Sequence, residues 1–542
     1  MFAQILIVMI VAIAITALAE RRNVQPALLI AIVGLVASFI PGMPRLELEP
    51  EVILGVVLPP MLFSAASDFS FSSFAQRMGS IVNLGVFMVF GTTAVVGIVA
   101  GTVVPEIGPA AAIVLGAVLA PPDAVTAITI GRKAGLPVAL MTVLKGESLI
   151  NDAAALTLFT VAVASAAGRH AFIDNTALYF VYSAVVGLLL GLLIGNLAAL
   201  ARRKLGNPSL STVVSVIVPF AAYLVAEELH ASGVLAVVMA GFTLGHHSAE
   251  SGYEERIQER QFWRTVDTLL ETFVFAYIGL QLRFVITDAV DAGYDMLQLA
   301  FGALAIFLAI VAIRFVWVFG TAAIAHQRRR SAARKPLRIR RPGRRERPPS
   351  PPPLSWKENV VLSWTGMRGV VTLAAASGVP LITATGEDFQ GREAILALAF
   401  LVTIATLLIQ GLTLPWLIAR LDLTNPQDAL HLAKQHERAV KIADQANVEA
   451  LAAYRASHDS PQSRKLVDVM AKRVGKIDAA ETPATKLVDR NEAMALGQIL
   501  LEARRKKLIA ARDSRELDDE VLREMLEQMD VEQAFMDSIS RD

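Results

Sequence analysis

Eight residues inside an otherwise apolar stretch, Lys145-Gly-Glu-Ser-Leu-Ile-Asn-Asp152, carry three charges, a hydroxyl and an amide before apolar sequence resumes at Ala153. If the enclosing helix runs from about residue 137 to about 166, Asp152 falls near its midpoint. Helical spacing then puts Ser148 one turn behind Asp152 and Glu147 one turn behind Asn151. One stripe thus offers hydroxyl, amide and carboxylate oxygens. Such oxygens suit a hard cation, as they suit Ca2+ and Mg2+, and Na+ and Li+ are hard cations too. A purely structural hydrogen-bond network is the alternative use of these groups, but two carboxylates within one short run are more than packing needs.

A second constellation precedes it. Gly116-Ala-Val-Leu-Ala-Pro-Pro-Asp-Ala-Val125 places two prolines against an acid. Pro121 and Pro122 each remove a backbone donor, which frees carbonyls one turn upstream, near Ala117 and Val118. Broken backbone at membrane depth is tolerated where it lines a cavity, and Asp123 sits at the break. A plain proline kink would need no aspartate, so Pro122 and Asp123 are candidate ion-site residues alongside Ser148, Asn151 and Asp152. Arg314 lies in Ala309-Ile-Val-Ala-Ile-Arg-Phe-Val-Trp-Val318, too deep to reach water easily. It requires a carboxylate, and Glu147 is the best candidate. Arg368, in Ser363-Trp-Thr-Gly-Met-Arg-Gly-Val-Val-Thr372, is flanked by glycines that suggest a second interrupted helix. It is grouped with Glu147 and Arg314 in a structural ion pair, and stabilising helix ends is at least as good a role for it as direct contact with the cation. Lys145, nearer one membrane face, can snorkel.

The elements that position these residues are membrane spans. Apolar residues make up 54% of the chain and charged residues 18%, against about 25% charged in soluble domains. At about 20 apolar residues per span, about thirteen stretches qualify, centred near residues 10, 33, 58, 92, 120, 151, 189, 218, 239, 271, 310, 368 and 406. The first, Met1 to Ala19, has no basic residues before it and is followed by Arg21 and Arg22. It reads as a span and not as a cleaved signal. The fold expected is therefore an all-α membrane protein over 1–421, with discontinuous helices near the ion site and a helical tail.

Loop charges alternate. One set holds Arg21, Arg22, Arg77, Arg132, Lys133, Arg202, Arg203, Lys204, Arg256, Arg260 and Arg264, and continues into the basic loop from Arg328 to Lys357. The opposite set is poor in Lys and Arg (Arg45, Arg169, Arg283 and Arg392) and carries Glu47, Glu49, Glu106, Asp174, Glu227, Glu228, Asp288, Asp291 and Asp388. Positive loops stay in the cytoplasm, which puts the N-terminus outside and the C-terminus inside the plasma membrane. The Pro-rich basic segment 326–356 lacks apolar periodicity and reads as a cytoplasmic linker facing anionic headgroups. Membrane lipid is the expected surroundings, with no nucleic-acid partner. From 422 to 542 the sequence is rich in Ala, Glu, Lys and Arg with helical patterning, as in Leu517-Asp-Asp-Glu-Val-Leu-Arg-Glu-Met-Leu526. No motif there names a ligand.

Several functions are disfavoured. Cysteine is absent, which rules out disulfides, thiol chemistry and Cys-based metal sites. Two intramembrane aspartates could serve an aspartyl intramembrane protease, but neither has the Tyr-Asp or Gly-x-Gly-Asp context of that family. A His-Glu-x-x-His metal site is missing. Deeply placed acids suggest tight, saturable binding more than a channel. What the residues support is a carrier for a small cation, with no cofactor beyond the transported ions. Sodium/proton and potassium/proton exchange both fit, because oxygen ligands alone do not set size preference.

These motifs resemble the sodium/proton exchanger branch of the monovalent cation/proton antiporters. Gly146-Glu-Ser-Leu-Ile-Asn-Asp152 is similar to the Gly-Glu-Ser-x-x-Asn-Asp signature of that family's sixth span. Gly366-Met-Arg-Gly-Val-Val371 is similar to its Gly-x-Arg-Gly motif, and Arg314 falls where the family has an arginine one span earlier. The resemblance covers 1–421 and leaves the tail outside. In one departure, the family often has Asp followed by Pro in the fifth span, whereas here Pro122 precedes Asp123 and Ala124 follows. The resemblance implies a homodimer built from two inverted-topology repeats. It implies a mobile core of spans about 79–167 and 294–420, and a dimerisation side of spans about 1–68 and 175–282. It also implies exchange of Na+ for H+ at Asp152 by alternating access, and, because Asn151 stands where some relatives have a second acid, electroneutral one-for-one exchange. Gly187, Gly191 and Gly195 form a small-residue ladder suited to close helix packing, within or between subunits.

Overall fold

The computed structural model describes residues 2–541 except 23–24, 42–44, 46–51, 70, 124, 169–172, 174, 334–353, 424–425, 459, 475–489 and 515. The chain is helical almost throughout, in order α1 (Phe2–Arg21), α2 (Pro26–Ser38), α3 (Leu58–Ser67), α4 (Phe71–Val82), α5 (Met88–Val103), α6 (Pro109–Leu119), α7 (Val125–Ala134) and α8 (Val138–Ala166). There follow α9 (Thr176–Leu205), α10 (Pro208–Glu228), α11 (Gly233–His247), α12 (Tyr253–Asp291), α13 (Met296–Ala333), α14 (Trp356–Trp364), α15 (Val370–Ser377) and α16 (Arg392–Leu421). The tail adds α17 (Pro426–Ser457), α18 (Pro461–Val474), α19 (Arg490–Asp513) and α20 (Asp519–Arg541). Among the described residues eight helices are long and apolar enough to cross a membrane: α1, the joined α4–α5, α8, α9, α10, α12, α13 and α16. α2, α3 and α6 are shorter apolar helices. Every span centre read from the sequence falls on a helix or in the gap of a broken one.

Local sequence sets the interruptions. Ile53–Val57 and Asn83–Phe87 wind as π-helical turns before α3 and α5, a distortion that recurs beside functional sites. Pro121 and Pro122 end α6 at Leu119, and Gly366 and Gly369 bracket the gap between α14 and α15. Elsewhere the ends follow ordinary capping. Asn207 accepts from the amides of Ser209 and Leu210 at the start of α10, and Gly206 closes α9 at φ 58°, a left-handed conformation that favours glycine.

The helices fall into two packed sets. α1, α2, α3, α9, α10, α11 and α12 pack mainly on one another, as do α4–α8 and α13–α16. The sets meet where α8 lies against α9 and α11, and where α12 lies against α16. Small residues set the closest approaches. Gly34 on α2 and Gly279 on α12 leave no room for a Cβ between them, since one built on Gly34 would sit 3.0 Å from the Gly279 Cα. The Gly187, Gly191 and Gly195 ladder packs within the chain, against Ser232, Ala236, Met239, Ala240 and Thr243 on and just before α11.

The basic segment 326–356 begins differently from expectation. α13 continues through His326 to Ala333, because Arg and Ala are strong helix formers and Pro336 is the first residue in the stretch that opposes helix. Residues 334–353 lie outside the described residues, as do Glu47, Glu49, Arg169 and Asp174 of the loop-charge pattern. The tail helices form a bundle with its own buried core, including Leu501, Leu508, Val521 and Leu526.

Candidate functional site

α8 carries the densest set of polar groups. Its bounds put Asp152 at the middle of the helix. Glu147, Asn151 and Asp152 are 2%, 0% and 8% exposed, and Ser148 is half-buried one turn before Asp152. Gly85, in the π-helical turn before α5, lets that turn lie against Ile150 and the Asn151 backbone amide; a Cβ there would be 2.7 Å from Ile150 Cγ2.

Two broken helices cross in front of α8. The Asp123 amide donates to the Met367 carbonyl at 2.6 Å, tying the gap between α6 and α7 to the gap between α14 and α15. Asn151 Nδ2 donates to the Pro122 carbonyl at 3.2 Å, tying α8 to the first gap. Asn151 Oδ1 has no hydrogen-bond partner among the described residues. Asp123 and then Glu147 are the acids whose fields reach Asp152. Among the described residues no cation pairs with Asp152.

Arg314 on α13 meets Glu147 in a fork, Nη1 to Oε1 at 2.5 Å and Nη2 to Oε2 at 3.0 Å. Its Nε donates to the Leu362 carbonyl at 3.0 Å. The Gly366 backbone lies flat against this arginine, since a Cβ there would be 2.6 Å from Arg314 Cδ.

Arg368 lies outside the Glu147–Arg314 fork and bonds backbone carbonyls at helix ends, one of the two roles expected of it. Its Nε donates to the Leu119 carbonyl at 2.9 Å and its Nη2 approaches the Ala120 carbonyl at 3.5 Å. Its Nη1 donates to the Gly366 carbonyl, and its amide donates to Thr406 Oγ1 at 2.9 Å. The guanidinium therefore sits on the carbonyl ends left by the breaks, where helix dipoles are negative. The carbonyls it takes are those of Leu119 and Ala120, further along than the Ala117 and Val118 expected, because α6 runs to Leu119. Asp123 occupies the opposite kind of position. It lies two residues before α7 and against Gly369, the residue that caps the start of α15, where a Cβ would collide with its carboxylate. Two positive helix ends thus face one acid.

Sequence reading missed three features. Asp267 and Glu271 lie one turn apart on α12, both half-buried. Ser64 Oγ on α3 donates to Asp267 Oδ2 at 2.6 Å, and Glu271 lies within the fields of Asp123 and Asp267. Two acids inside an apolar span were the available signal. On α16, Thr403, Thr406 and Gln410 form a buried polar stripe beside the second gap, and Thr403 Oγ1 and Gln410 Oε1 have no partner among the described residues. Their spacing in an apolar helix was the only hint. The π-helical turns left no mark in periodicity.

Chemically, the site is a frame of mutually compensated charges around one carboxylate without a cation partner among the described residues, with amide and hydroxyl oxygens beside it. The family model described as "Sodium/hydrogen exchanger, transmembrane" matches residues 6–420. An uncharacterized Na+/H+ exchanger of Mycobacterium tuberculosis is 31% identical over 98% of this chain and 96% of its own length. The Na+/H+ antiporter ApNhaP of Aphanothece halophytica is 29% identical over 78% of this chain and 75% of its own. The solved structure of the sodium proton antiporter MjNhaP1 from Methanocaldococcus jannaschii shares the fold, with a TM-score of 0.57 at 16% identity over 78% of this chain and 98% of that one.

Proposed function

The chain belongs to the sodium/hydrogen exchanger family of cation/proton antiporters, and on that premise we propose that it exchanges Na+ or Li+ for H+ one for one at Asp152. It is a transporter and not an enzyme. The observation that carries the proposal is Asp152 itself, a buried carboxylate at mid-helix, without a cation partner among the described residues and beside the unpartnered Oδ1 of Asn151.

In this reading a cation takes oxygens from Asp152, Ser148, Asn151 and Asp123, with the Pro122 carbonyl held in place by the Asn151 amide. A proton arriving at Asp152 displaces the cation. The site is neutral with either occupant, and an unoccupied carboxylate is held back by the cost of moving a bare charge past apolar walls. Glu147 and Arg314 hold the frame and take no part in binding. The α4–α8 and α13–α16 set would move as a core against the α1–α3 and α9–α12 set, which would carry the contacts of a homodimer in the plasma membrane. The alternation of loop charges supports an N-terminus outside and a tail in the cytoplasm.

The test is sodium-dependent proton flux in proteoliposomes. Asp152→Asn should abolish it, and retained flux sinks the assignment. Flux in the unsubstituted protein should not respond to an imposed membrane potential; a response would overturn one-for-one exchange. In the same assay Na+ and Li+ should activate and K+ should not. Equal activation by K+ would move the proposal to potassium/proton exchange.

A further inference from the structure

A buried polar contact crosses from one helix set to the other. Thr157 on α8 and Ser232 at the start of α11 meet hydroxyl to hydroxyl at 2.7 Å, and they are 2% and 7% exposed. The neighbours decide which one donates. Thr157 Oγ1 donates back to the Ala153 carbonyl at 2.7 Å, which uses its only hydrogen. Ser232 therefore supplies the proton of the shared bond. Its oxygen also accepts from the Leu235 amide at 3.3 Å as the N-cap of α11. Each hydroxyl thus donates once, and Thr157 is the acceptor for Ser232.

Both ends of this bond are fixed to their own set. The Ser232 amide donates to the Ser183 carbonyl on α9 at 3.0 Å. Gly187 lets α9 close on the same residue, since a Cβ there would lie 2.6 Å from the Ser232 carbonyl oxygen. Ser232 therefore moves with α9 and α11, and Thr157 moves with α8. Access along α8 also changes at Asp152. On the face that carries it, Met141, Lys145 and Ser148 are half-buried, whereas Ala155, Leu156 and Phe159 are 2%, 4% and 4% exposed. Asp152 is thus open toward the N-terminal end of α8 and shut toward its C-terminal end, and Thr157 meets Ser232 on the shut side.

We propose that Thr157 and Ser232 are positioning residues whose shared bond weights the protein toward the conformation shut on the C-terminal side of Asp152. This rests on the reading above, in which α8 moves against α9 and α11 and that side faces outward. The bond must break each time the core turns to open that side, because its two ends belong to different bodies. Replacing Thr157 by valine, which has nearly the same shape, leaves the buried Ser232 proton without this acceptor in the shut form. Once the hydroxyls have separated, the same substitution removes nothing between them. The balance should therefore move about fivefold toward the outward-open form, the worth of one net hydrogen bond.

The test uses the full chain in proteoliposomes, with the KM for sodium measured separately on the two sides. Each KM scales inversely with the fraction of protein open to that side, so the ratio of inner to outer KM follows the balance directly. Thr157→Val should raise that ratio about fivefold, and Thr157→Ser should restore it. Ser232→Ala should move it in the same direction, and the double variant should go no further than either, because both remove one bond. An unmoved ratio in folded Thr157→Val, or effects that add in the double variant, overturns the proposal. A second readout is independent of transport. Because the chain has no native cysteine, Ala155→Cys, buried on the shut side, reacts with a charged methanethiosulfonate added outside only when that side opens. Adding Thr157→Val should quicken this labelling about fivefold, and equal rates would equally overturn the proposal. Labelling that responds in a protein without sodium-dependent proton flux would refute the transport reading and leave the role of the bond standing.

Discussion

The fork between Arg314 and Glu147 makes a prediction that separates holding the frame from binding the ion. The two side chains are 4% and 2% exposed and meet at 2.5 Å. Removing one partner strands a buried charge, at a cost of about 3–5 kcal/mol, a large share of the roughly 5–15 kcal/mol by which native proteins are stable. Removing both strands none, and an apolar replacement of similar volume is close to neutral. The Leu362 carbonyl, which loses its bond from Arg314 Nε, keeps the one from Thr365 Oγ1 at 3.0 Å. Glu147→Met and Arg314→Leu should therefore each destabilise strongly, and the double variant should recover most of the loss, a coupling of about 3 kcal/mol. Denaturant unfolding in mixed micelles reads the stability, and proteoliposome flux reads the function. The double variant should exchange with an unchanged KM for sodium. A double variant that is folded but inactive would refute the reasoning, because Glu147 would then be a ligand of the transported ion.

Gly369→Ala should lower exchange at least about tenfold without unfolding the protein, because the added Cβ occupies the place of the Asp123 carboxylate; normal flux with a folded variant would show that Asp123 has room to spare. Glu271→Gln and Asp267→Asn should each raise the KM for sodium about three- to tenfold with little change in kcat, since Glu271 lies within the field of Asp123 and Asp267 lies one turn before Glu271 on α12, where both acids concentrate cations near the site. A fall in kcat at constant KM would assign them to the moving step instead. Competition at one carboxylate also fixes the sign of the pH effect: the KM for sodium should rise as pH falls, approaching about tenfold per unit where protons dominate. A KM that is flat with pH would rule out a shared site.

The parts of this molecule written in the sequence are those where a residue type has few alternatives in lipid. Apolar length announced the helices, and Pro121-Pro122 and Gly366-x-x-Gly369 announced both breaks, because each pair acts on its own backbone. Arg314 and Glu147 could be matched because a buried charge demands a partner and few were on offer. Pairings between distant segments left no such mark. Nothing local says that Arg368 reaches past the nearby acids to the Leu119 carbonyl, or that Ser64 holds Asp267 across two helices. Nor did composition reveal α20's alignment with α12, which depends on Arg256 meeting Asp530, 274 residues further along the chain.

On the proposed exchange at Asp152, the charges around the crossing explain why that carboxylate carries the exchangeable charge. Glu147 and Arg314 neutralise each other. Arg368 is met by the carbonyl ends of the broken helices, and Asp123 by the amino ends of α7 and α15. Each of these charges is compensated by groups that travel with it, so none needs a mobile counterion when the frame moves as a body. Asp152 has no such companion, because mid-helix amides are already bonded within α8 and offer it no donor. On that proposal a continuous helix at this position is as necessary to exchange as the broken helices beside it: breaking α8 at Asp152 would supply the missing donors, and with them a reason for the carboxylate to stay charged without its cation.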